Sequence, residues 1–221
     1  MNVAVAIFVK TPGLSPVKTR LARTLGRHDA EQCYQRSVAC VAAAVRASRL
    51  SGYWAVAETE GRAHPLWREF PVIEQGEGGL GERMHAVYSA LLQQHEAVML
   101  LGADAPQLQA AELLQAASWL RADADRYVLG PARDGGFWLF GGNRPVARER
   151  WLQVAYSRAD TAVKFEQSLA VDGWRRLALH SDLDEARDLV QVRAELLSLA
   201  DPLPAQHALL EWLERAMERA A

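Results

Sequence analysis

The sequence contains few of the features that mark membrane proteins or disulfide-stabilised proteins. It has only two cysteines, Cys33 and Cys40. On the predicted helix they lie too far apart along the axis to form a disulfide, so we expect both to be buried thiols. No apolar run approaches the roughly 18 residues that a transmembrane helix requires, and the N-terminus lacks the basic start of a signal peptide. We therefore expect a cytoplasmic protein that does not bind membranes.

The sequence also lacks the motifs of several catalytic classes. Its six histidines are scattered without ligand spacing, which argues against a zinc site. There is no Gly-x-Ser-x-Gly motif, and neither cysteine lies in an activating context. The formal charge of −2 gives no broad basic surface for nucleic acid. The chemistry that remains depends on metal ions, phosphate binding and positioning of the reactants.

The hydrophobic pattern predicts an α/β fold. Half of the residues are hydrophobic, enough for a sizeable core. Val3–Val9 is a nearly continuous apolar run, typical of a strand that is covered on both faces. Strands alternate with amphipathic helices, which predicts a three-layer α/β/α arrangement around a mainly parallel, mixed sheet. The predicted strands are Val3–Val9, Gly52–Ala57, Pro71–Glu74, Val98–Leu101, Arg126–Leu129, Phe137–Phe140 and Trp174–Leu179.

We predict one domain over residues 1–200, with a C-terminal helix over residues 201–221 packed on it. The less favoured alternative is that this last helix forms a dimer contact, so the chain is predicted to be a monomer or a homodimer. Earlier in the chain, the helix after the fourth strand is expected to bury Leu113 and Leu114. Ser157 and Asp160 have the spacing of a capping box and predict the start of another helix.

A basic loop follows the first predicted strand and carries Lys10, Lys18 and Arg20. A nucleotide phosphate group binds at this position in many α/β proteins, beyond the end of a strand. The loop partly resembles a P-loop, but Val17 replaces the glycine that must precede the lysine, which excludes that motif. We favour phosphate binding over a merely solvated basic loop.

A glycine-rich stretch, from Gly76 to Gly81, opens a later helix. It lies too far along the chain to be a dinucleotide-binding fingerprint. The amide groups at the start of the helix could face an anion, and Arg83 could reach a phosphate. A flexible loop with a helix start is an equally good interpretation.

Four aspartates follow predicted strands. Asp104 comes directly after Val98–Leu101, where a buried unpaired carboxylate would be unusual, although it could also cap a helix. Asp134 lies in an Asp-Gly-Gly turn, and turn chemistry alone explains it about as well as function does. Asp182 and Asp184 could complete a metal site or cap the following helix. Carboxylates at the strand ends suit a hard divalent cation and a phosphate substrate.

Five motifs occur in the order found in a known family. They are Lys10-x-Pro12 with Val17-Lys18-Thr19-Arg20-Leu21, then Gly81-Glu82-Arg83-Met84, Gly102-x-Asp104-x-Pro106, Gly130-Pro131-Ala132-x-Asp134-Gly135-Gly136, and Asp182-x-Asp184 with Asp188-Leu189. Over roughly Val3 to Leu189 the chain resembles the DUF2064 proteins, glycosyltransferase-like proteins of the GT-A, nucleotide-diphospho-sugar transferase fold. The first loop is also similar to that of the guanylyltransferases that activate 2-phospholactate or phosphoenolpyruvate.

The resemblance implies a GT-A-like fold, a bound nucleotide and a divalent metal, Mg²⁺ or Mn²⁺. It implies metal ligation by Asp104 and by Asp182 or Asp184. The catalytic candidates are Asp104, Asp134 and Lys18. The implied nucleotide-binding residues are Lys10, Pro12, Gly13, Lys18, Thr19, Arg20, Gly79, Gly81 and Arg83.

The predicted function is a metal-dependent transferase that uses a nucleotide-activated donor and a small-molecule acceptor. Glycosyl transfer from a nucleotide sugar is slightly favoured on the resemblance. The dense basic loop suits the alternative, nucleotidyl transfer from a nucleoside triphosphate to a small phosphorylated acid or sugar phosphate, with release of pyrophosphate. A second alternative is a non-catalytic nucleotide-binding module, because Gly79 stands where many relatives have an acidic residue. The base, the sugar and the acceptor stay open at this point.

Overall fold

The computed structural model describes residues 2–122, 124–169 and 173–220. Within these residues the chain forms seven strands and eight α-helices. The strands are β1 (Val3–Val9), β2 (Ser51–Val56), β3 (Val72–Glu74), β4 (Ala97–Leu101), β5 (Tyr127–Pro131), β6 (Phe137–Gly142) and β7 (Trp174–Arg176). The helices are α1 (Thr19–Leu25), α2 (Arg27–Ser48), α3 (Leu80–Leu92), α4 (Ala110–Leu120), α5 (Arg148–Leu152), α6 (Thr161–Leu169), α7 (Asp188–Leu197) and α8 (Pro204–Ala220).

The strands form one sheet in the order β3-β2-β1-β4-β6-β5-β7. Strands β1 to β4 run parallel to one another, and β5 pairs in parallel with β7. Strand β6 is antiparallel to both of its neighbours, β4 and β5. The prediction of an α/β fold with a mainly parallel, mixed sheet is confirmed.

The side chains of β1 explain why its sequence is apolar throughout. Successive residues of a strand point to opposite faces of the sheet. Val5 and Ile7 belong to the core that also contains residues of α2 and α4. Ala4 and Ala6 belong to the core on the other face, with residues of α3, α5 and α6. Both faces of the strand are therefore covered, as the sequence predicts.

A third cluster joins helix α8 to α1, α2 and α7. Leu209, Trp212 and Leu213 of α8 are buried in this cluster. The alternative that α8 is a dimer contact in place of core is wrong, because the chain itself covers these side chains. Cys33 and Cys40 are free and buried in the same region, as expected. The domain boundary at residue 200 stays a prediction.

Two local predictions are wrong. Leu114 is 47% exposed, because α4 turns Leu113 toward the core instead. The capping box of Ser157 and Asp160 does not form. Ser157 has a left-handed backbone with φ of 60°, and helix α6 begins only at Thr161. In the described ranges, no helix is both long enough and apolar enough to cross a membrane.

Candidate active site at the carboxyl edge of the sheet

The topology brings four chain segments to one edge of the sheet. Strands β1 and β4 are parallel neighbours, and the chain leaves their carboxyl ends in different directions, which creates a crevice between them. The loop after β1 and the loop after β4 flank this crevice. Because β6 is antiparallel, the turn over residues 132–136 that leads into it lies at the same edge. The segment that follows β7 is the fourth.

An ion pair between a buried lysine and a half-exposed aspartate links the first two loops. Lys18 Nζ lies 2.5 Å from Asp104 Oδ1, with 2% of the Lys18 side chain and 46% of the Asp104 side chain exposed. The ammonium also donates a hydrogen bond to the carbonyl oxygen of Leu183. Burial alone would lower the pKa of Lys18, but the nearby acidic groups, Asp104 foremost, together outweigh it and the pKa is raised. The capping alternative for Asp104 is wrong, because α4 begins at Ala110, six residues later.

Backbone hydrogen bonds place the segment after β7 beside Asp104. The amide of His180 donates to the carbonyl of Pro131 at 3.1 Å, next to β5. The amide of Leu183 donates to the carbonyl of Asp104 at 2.8 Å. This segment therefore crosses from the end of β5 to the end of β4, and it carries Asp182 into the crevice.

Asp182 lies in a cluster of carboxylates. The pKa of Asp182 is raised from 3.8 to about 7. Burial is the largest cause, the charges of Asp104 and Asp134 also raise the pKa, and Lys18 opposes them. Asp184 also contributes, but its carboxylate pairs with Arg20 at 3.0 Å. Neither Asp182 nor Asp184 caps the next helix, because α7 begins at Asp188 and its N-cap residue is Arg187.

The carboxylates fit a divalent cation only in part. Across residues 2–122, 124–169 and 173–220, no three acidic, histidine or cysteine side chains converge as a complete metal site. Mg²⁺ is usually held by one or two carboxylates together with substrate phosphates and water. Asp104 and Asp182 are two carboxylates of the crevice whose charges act on each other.

The turn that carries Asp134 is built by its own side chain. Asp134 Oδ1 accepts the amide of Gly136 at 2.8 Å. Gly135 has φ of 88°, and its carbonyl accepts the amide of Ala162 at 2.9 Å, at the start of α6. Turn chemistry thus accounts for the Asp-Gly-Gly sequence, as one alternative predicted. The Asp134 side chain nevertheless remains exposed to the crevice.

The crevice has two parts that share Phe8, Leu80 and Gly102. One part, the cationic pocket, has a volume of about 460 Å³. Its charged lining residues are Lys10, Lys18, Arg20, Asp104 and Asp184. The other part, the acidic pocket, has a volume of about 190 Å³. Its lining includes Met84, Asp134, Phe137, Trp138, Tyr156 and Asp182.

Only part of the predicted nucleotide-binding set lines the crevice. Lys10, Lys18, Thr19 and Arg20 line the cationic pocket. The other predicted residues line neither pocket: Pro12, Gly13, Gly79, Gly81 and Arg83.

Local packing accounts for two of the residues outside the crevice. A Cβ atom at Gly81 would lie 2.7 Å from the carbonyl oxygen of Trp151, so this glycine allows α3 to pack against α5. Arg83 Nε donates a hydrogen bond to the carbonyl of Gly78 at 3.0 Å and so stabilises the glycine-rich loop.

The predictions from sequence missed the apolar walls of the crevice. Phe8 is the one residue of β1 that is only half-buried, and it lies between the two pockets. Tyr156 and Leu80 come from loops and helix ends far apart in the sequence. The position of Phe137 directly after the Gly-Gly turn was the one available signal. Tyr34 was also missed as a support, although its hydroxyl binds both the amide and the carbonyl of Lys10 at 2.8 Å.

Comparison with known proteins gives one family and several structures with the same fold. Residues 24–158 match the family described as "Uncharacterized protein conserved in bacteria (DUF2064)". No curated protein matches the chain. A proposed nucleotide-diphospho-sugar transferase from Desulfovibrio desulfuricans G20 is 22% identical with a TM-score of 0.83, and the match covers 100% of this chain and 99% of that one.

Two more distant structures have the same general fold. The 4-diphosphocytidyl-2C-methyl-D-erythritol synthase of Anaerococcus prevotii DSM 20548 is 11% identical with a TM-score of 0.58, and the match covers 89% of this chain and 98% of that one. Rv0371C of Mycobacterium tuberculosis H37Rv, in complex with manganese, is 12% identical with a TM-score of 0.51, over 87% of this chain and 98% of that one. The expected nucleotide-diphospho-sugar transferase fold is confirmed.

Proposed function

The chain belongs to the DUF2064 family, and we propose that it is a transferase whose donor is a nucleotide sugar. The observation that carries this proposal is the pairing of a cationic pocket with an acidic pocket across a shared wall. A donor diphosphate suits the first pocket and an acceptor suits the second. The full-length likeness to a proposed nucleotide-diphospho-sugar transferase supports the choice of donor.

The cationic pocket is proposed to bind the diphosphate. Lys10 and Arg20 are exposed at its rim, and Lys18 lies at its base. Arginine and lysine form strong charge-assisted hydrogen bonds with phosphate oxygens. Arg20 is paired with Asp184 at 3.0 Å and with Glu185 at 3.5 Å, so a bound phosphate would compete with these carboxylates. Lys18 lines this pocket and also holds the Asp104 carboxylate in place through their ion pair.

Asp104 and Asp182 are the proposed ligands of a Mg²⁺ or Mn²⁺ ion, with Asp184 as the alternative second ligand. When bound, such an ion would neutralise charge on the leaving diphosphate. A manganese complex of a protein with this fold supports the type of metal. The residues of the chain supply the rest: they bind the donor, exclude water with Phe8 and Leu80, and orient the acceptor.

The proposed transfer replaces one bond at the anomeric carbon of the donor sugar. The acceptor oxygen forms a bond to that carbon as the carbon–oxygen bond to the diphosphate breaks. The electron pair of the broken bond stays with the nucleoside diphosphate. The acceptor proton passes to the carboxylate of Asp134, which is exposed in the acidic pocket and acts as general base or orients the acceptor.

Nucleotidyl transfer is the second candidate, and the three cations after β1 favour it. A triphosphate carries more charge than a diphosphate and makes fuller use of Lys10, Lys18 and Arg20. The fold is also that of a 4-diphosphocytidyl-2C-methyl-D-erythritol synthase. This reaction would release pyrophosphate in place of a nucleoside diphosphate.

The two candidates are separated by their products. The purified chain is incubated with Mg²⁺ or Mn²⁺ and either a panel of nucleotide sugars or nucleoside triphosphates with small phosphorylated acids. We expect release of a nucleoside diphosphate from a nucleotide sugar. Pyrophosphate release would favour the second candidate. If neither product forms from any donor, both candidates fail and a non-catalytic nucleotide-binding module is left.

A matched pair of variants tests the assignment of the cationic pocket. Arg20→Gln removes a cation that lines the pocket, and Arg23→Gln removes an exposed cation one turn later on the same helix. We expect Arg20→Gln to raise the KM for the donor about tenfold, since a charge-assisted hydrogen bond is lost. Arg23→Gln should leave the KM unchanged. Equal effects of both changes would remove the loop after β1 from the donor site.

A further inference from the structure

We propose that Glu195 of helix α7 is a positioning residue that holds the three aspartate-bearing loops of the crevice in one arrangement. The residue lines neither the cationic pocket nor the acidic pocket. This inference rests on the proposed function, because it explains how the residues of that site are kept in place. It goes further by giving a role in the reaction to a side chain that touches neither donor nor acceptor.

The Glu195 carboxylate accepts hydrogen bonds from all three loops. From the loop after β4, Gln107 Nε2 donates to Oε2 at 2.8 Å. From the segment after β7, the Ser181 hydroxyl donates to Oε1 at 2.7 Å and the Ser181 amide donates to Oε2 at 3.2 Å. From the turn over residues 132–136, Arg133 Nε donates to Oε1 at 3.3 Å. One side chain therefore joins three segments that are far apart in the sequence.

Each of these three partners lies close in sequence to an aspartate of the site. The pairs are Gln107 with Asp104, Arg133 with Asp134, and Ser181 with Asp182. Because each pair shares a short stretch of backbone, a displaced partner also displaces its aspartate. Misplacement of a reacting group by about 1 Å can lower a reaction rate about 100-fold. The hydrogen bonds of Glu195 are therefore placed where they control the geometry of the reaction.

Helix α7 gives Glu195 a rigid support. The apolar face of the helix is buried against α1, α2 and α8 in the third cluster, through Leu189, Val192 and Leu196. Only 17% of the Glu195 side chain is exposed, so water competes little for its oxygens. Hydrogen bonds to a charged acceptor in such a shielded position are stronger than those between neutral groups.

Glutamine at this position breaks the arrangement with little change in the size of the side chain. Both oxygens of a carboxylate accept hydrogen bonds, whereas the NH₂ group of an amide only donates. Each oxygen of Glu195 accepts at least two hydrogen bonds, including one from Gln191 of the same helix. At least two donors therefore lose their acceptor in Glu195→Gln, whichever way the amide is turned.

Amide hydrogen exchange of the full chain, followed by NMR, tests the inference. Two reporter amides connect the loops without bonding to Glu195. The amide of Leu183 donates to the carbonyl of Asp104 at 2.8 Å, and the amide of Arg133 donates to the carbonyl of His180 at 3.0 Å. We expect both to exchange about tenfold faster in Glu195→Gln, because the loops open more often.

The controls separate this local effect from a loss of overall stability. The amides of β4 lie in the centre of the sheet, and their exchange in Glu195→Gln should stay within about twofold of the wild-type rate. Glu214→Gln removes the same charge from α8, where this carboxylate pairs with Arg193 of α7 at 2.9 Å. It should leave both reporter amides at their wild-type rates.

The kinetics of the reaction supply a second readout. The donor is the nucleotide sugar from which the wild type releases a nucleoside diphosphate. Glu195→Gln should lower kcat about tenfold or more. It should change the donor KM less than about threefold, since Lys10 and Arg20 bind the donor from the loop after β1. A wild type that releases no product would contradict the proposed function alone, because the exchange rates still test Glu195.

Several results would overturn the inference. The reporter amides of Glu195→Gln could keep their wild-type rates, or the β4 amides could accelerate by the same factor as the reporters. Equal acceleration of the reporters in Glu214→Gln would show a general effect of charge. Faster exchange of the reporters with an unchanged kcat would show that Glu195 stabilises the loops without positioning the reacting groups.

Discussion

The aspartate after β7 should cost the protein stability when it is ionised. Burial and the nearby carboxylates raise the pKa of Asp182 from 3.8 to about 7. The folded chain therefore holds this proton more tightly than the unfolded chain does. The unfavourable contribution is small near pH 4, grows as the pH rises through the interval between the two pKa values, and is constant above it. Asp182→Asn removes the charge and should stabilise the protein at high pH.

The magnitude follows from the two pKa values. A shift of this size corresponds to about 4 kcal/mol in the free energy of unfolding once Asp182 is fully ionised. At pH 5 the same linkage gives about 1.7 kcal/mol. The stability advantage of Asp182→Asn over the wild type should thus grow by about 2.5 kcal/mol between pH 5 and pH 8. Any effect of the asparagine amide on packing is the same at every pH, so it cancels when the stability difference at pH 8 is compared with that at pH 5.

Urea unfolding at pH 5, 6, 7 and 8, without divalent cations, measures this difference. Asp184→Asn is the control, because its carboxylate is paired with Arg20 at the surface. Loss of that exposed pair should change stability by about 1 kcal/mol or less, with no gain at high pH. An advantage of Asp182→Asn that stays flat or falls as the pH rises would refute the reasoning. So would an equal rise in the control.

Two further predictions concern the ion pair and the turn at the crevice. Asp104→Asn should lower the free energy of unfolding by about 2–3 kcal/mol because it leaves Lys18 buried without its carboxylate. The double variant with Lys18→Met should lose less, and urea unfolding would contradict the account if it lost more. Gly135→Ala should lower the melting temperature far more than Gly76→Ala does. Both glycines have positive φ, but only at Gly135 would the new Cβ overlap the backbone of Ala159. Equal melting temperatures would show that this close approach is unimportant.

Much of the fold could be predicted because its signals are local. The continuous apolar run of Val3–Val9 reports burial on both faces, and this strand was predicted with its observed limits. Asp104 could be singled out because a carboxylate directly after a buried strand has few structural explanations. The alternation of strands and helices then placed it at the carboxyl edge of the sheet, where open α/β sheets bind their ligands.

Features that depend on contacts between distant segments could not be predicted. The start of α6 was misplaced because the turn at Gly135, more than twenty residues earlier, accepts an amide from that helix. The apolar walls of the acidic pocket combine residues as distant as Phe8 and Tyr156. The ion-pair partner of Lys18, Asp104, could not be predicted either. The sequence indicated a phosphate ligand for this lysine but gave no sign of the ion pair with Asp104 that the structure shows.

A crystal structure of the full chain soaked with a nucleotide sugar and Mn²⁺ tests the central claim most directly. The anomalous signal of manganese locates the ion independently of the ligand. The account predicts the diphosphate against Lys10, Lys18 and Arg20, with the ion between it and the carboxylates of Asp104 and Asp182. A nucleotide bound away from this crevice, or a manganese ion that touches neither carboxylate, would contradict it.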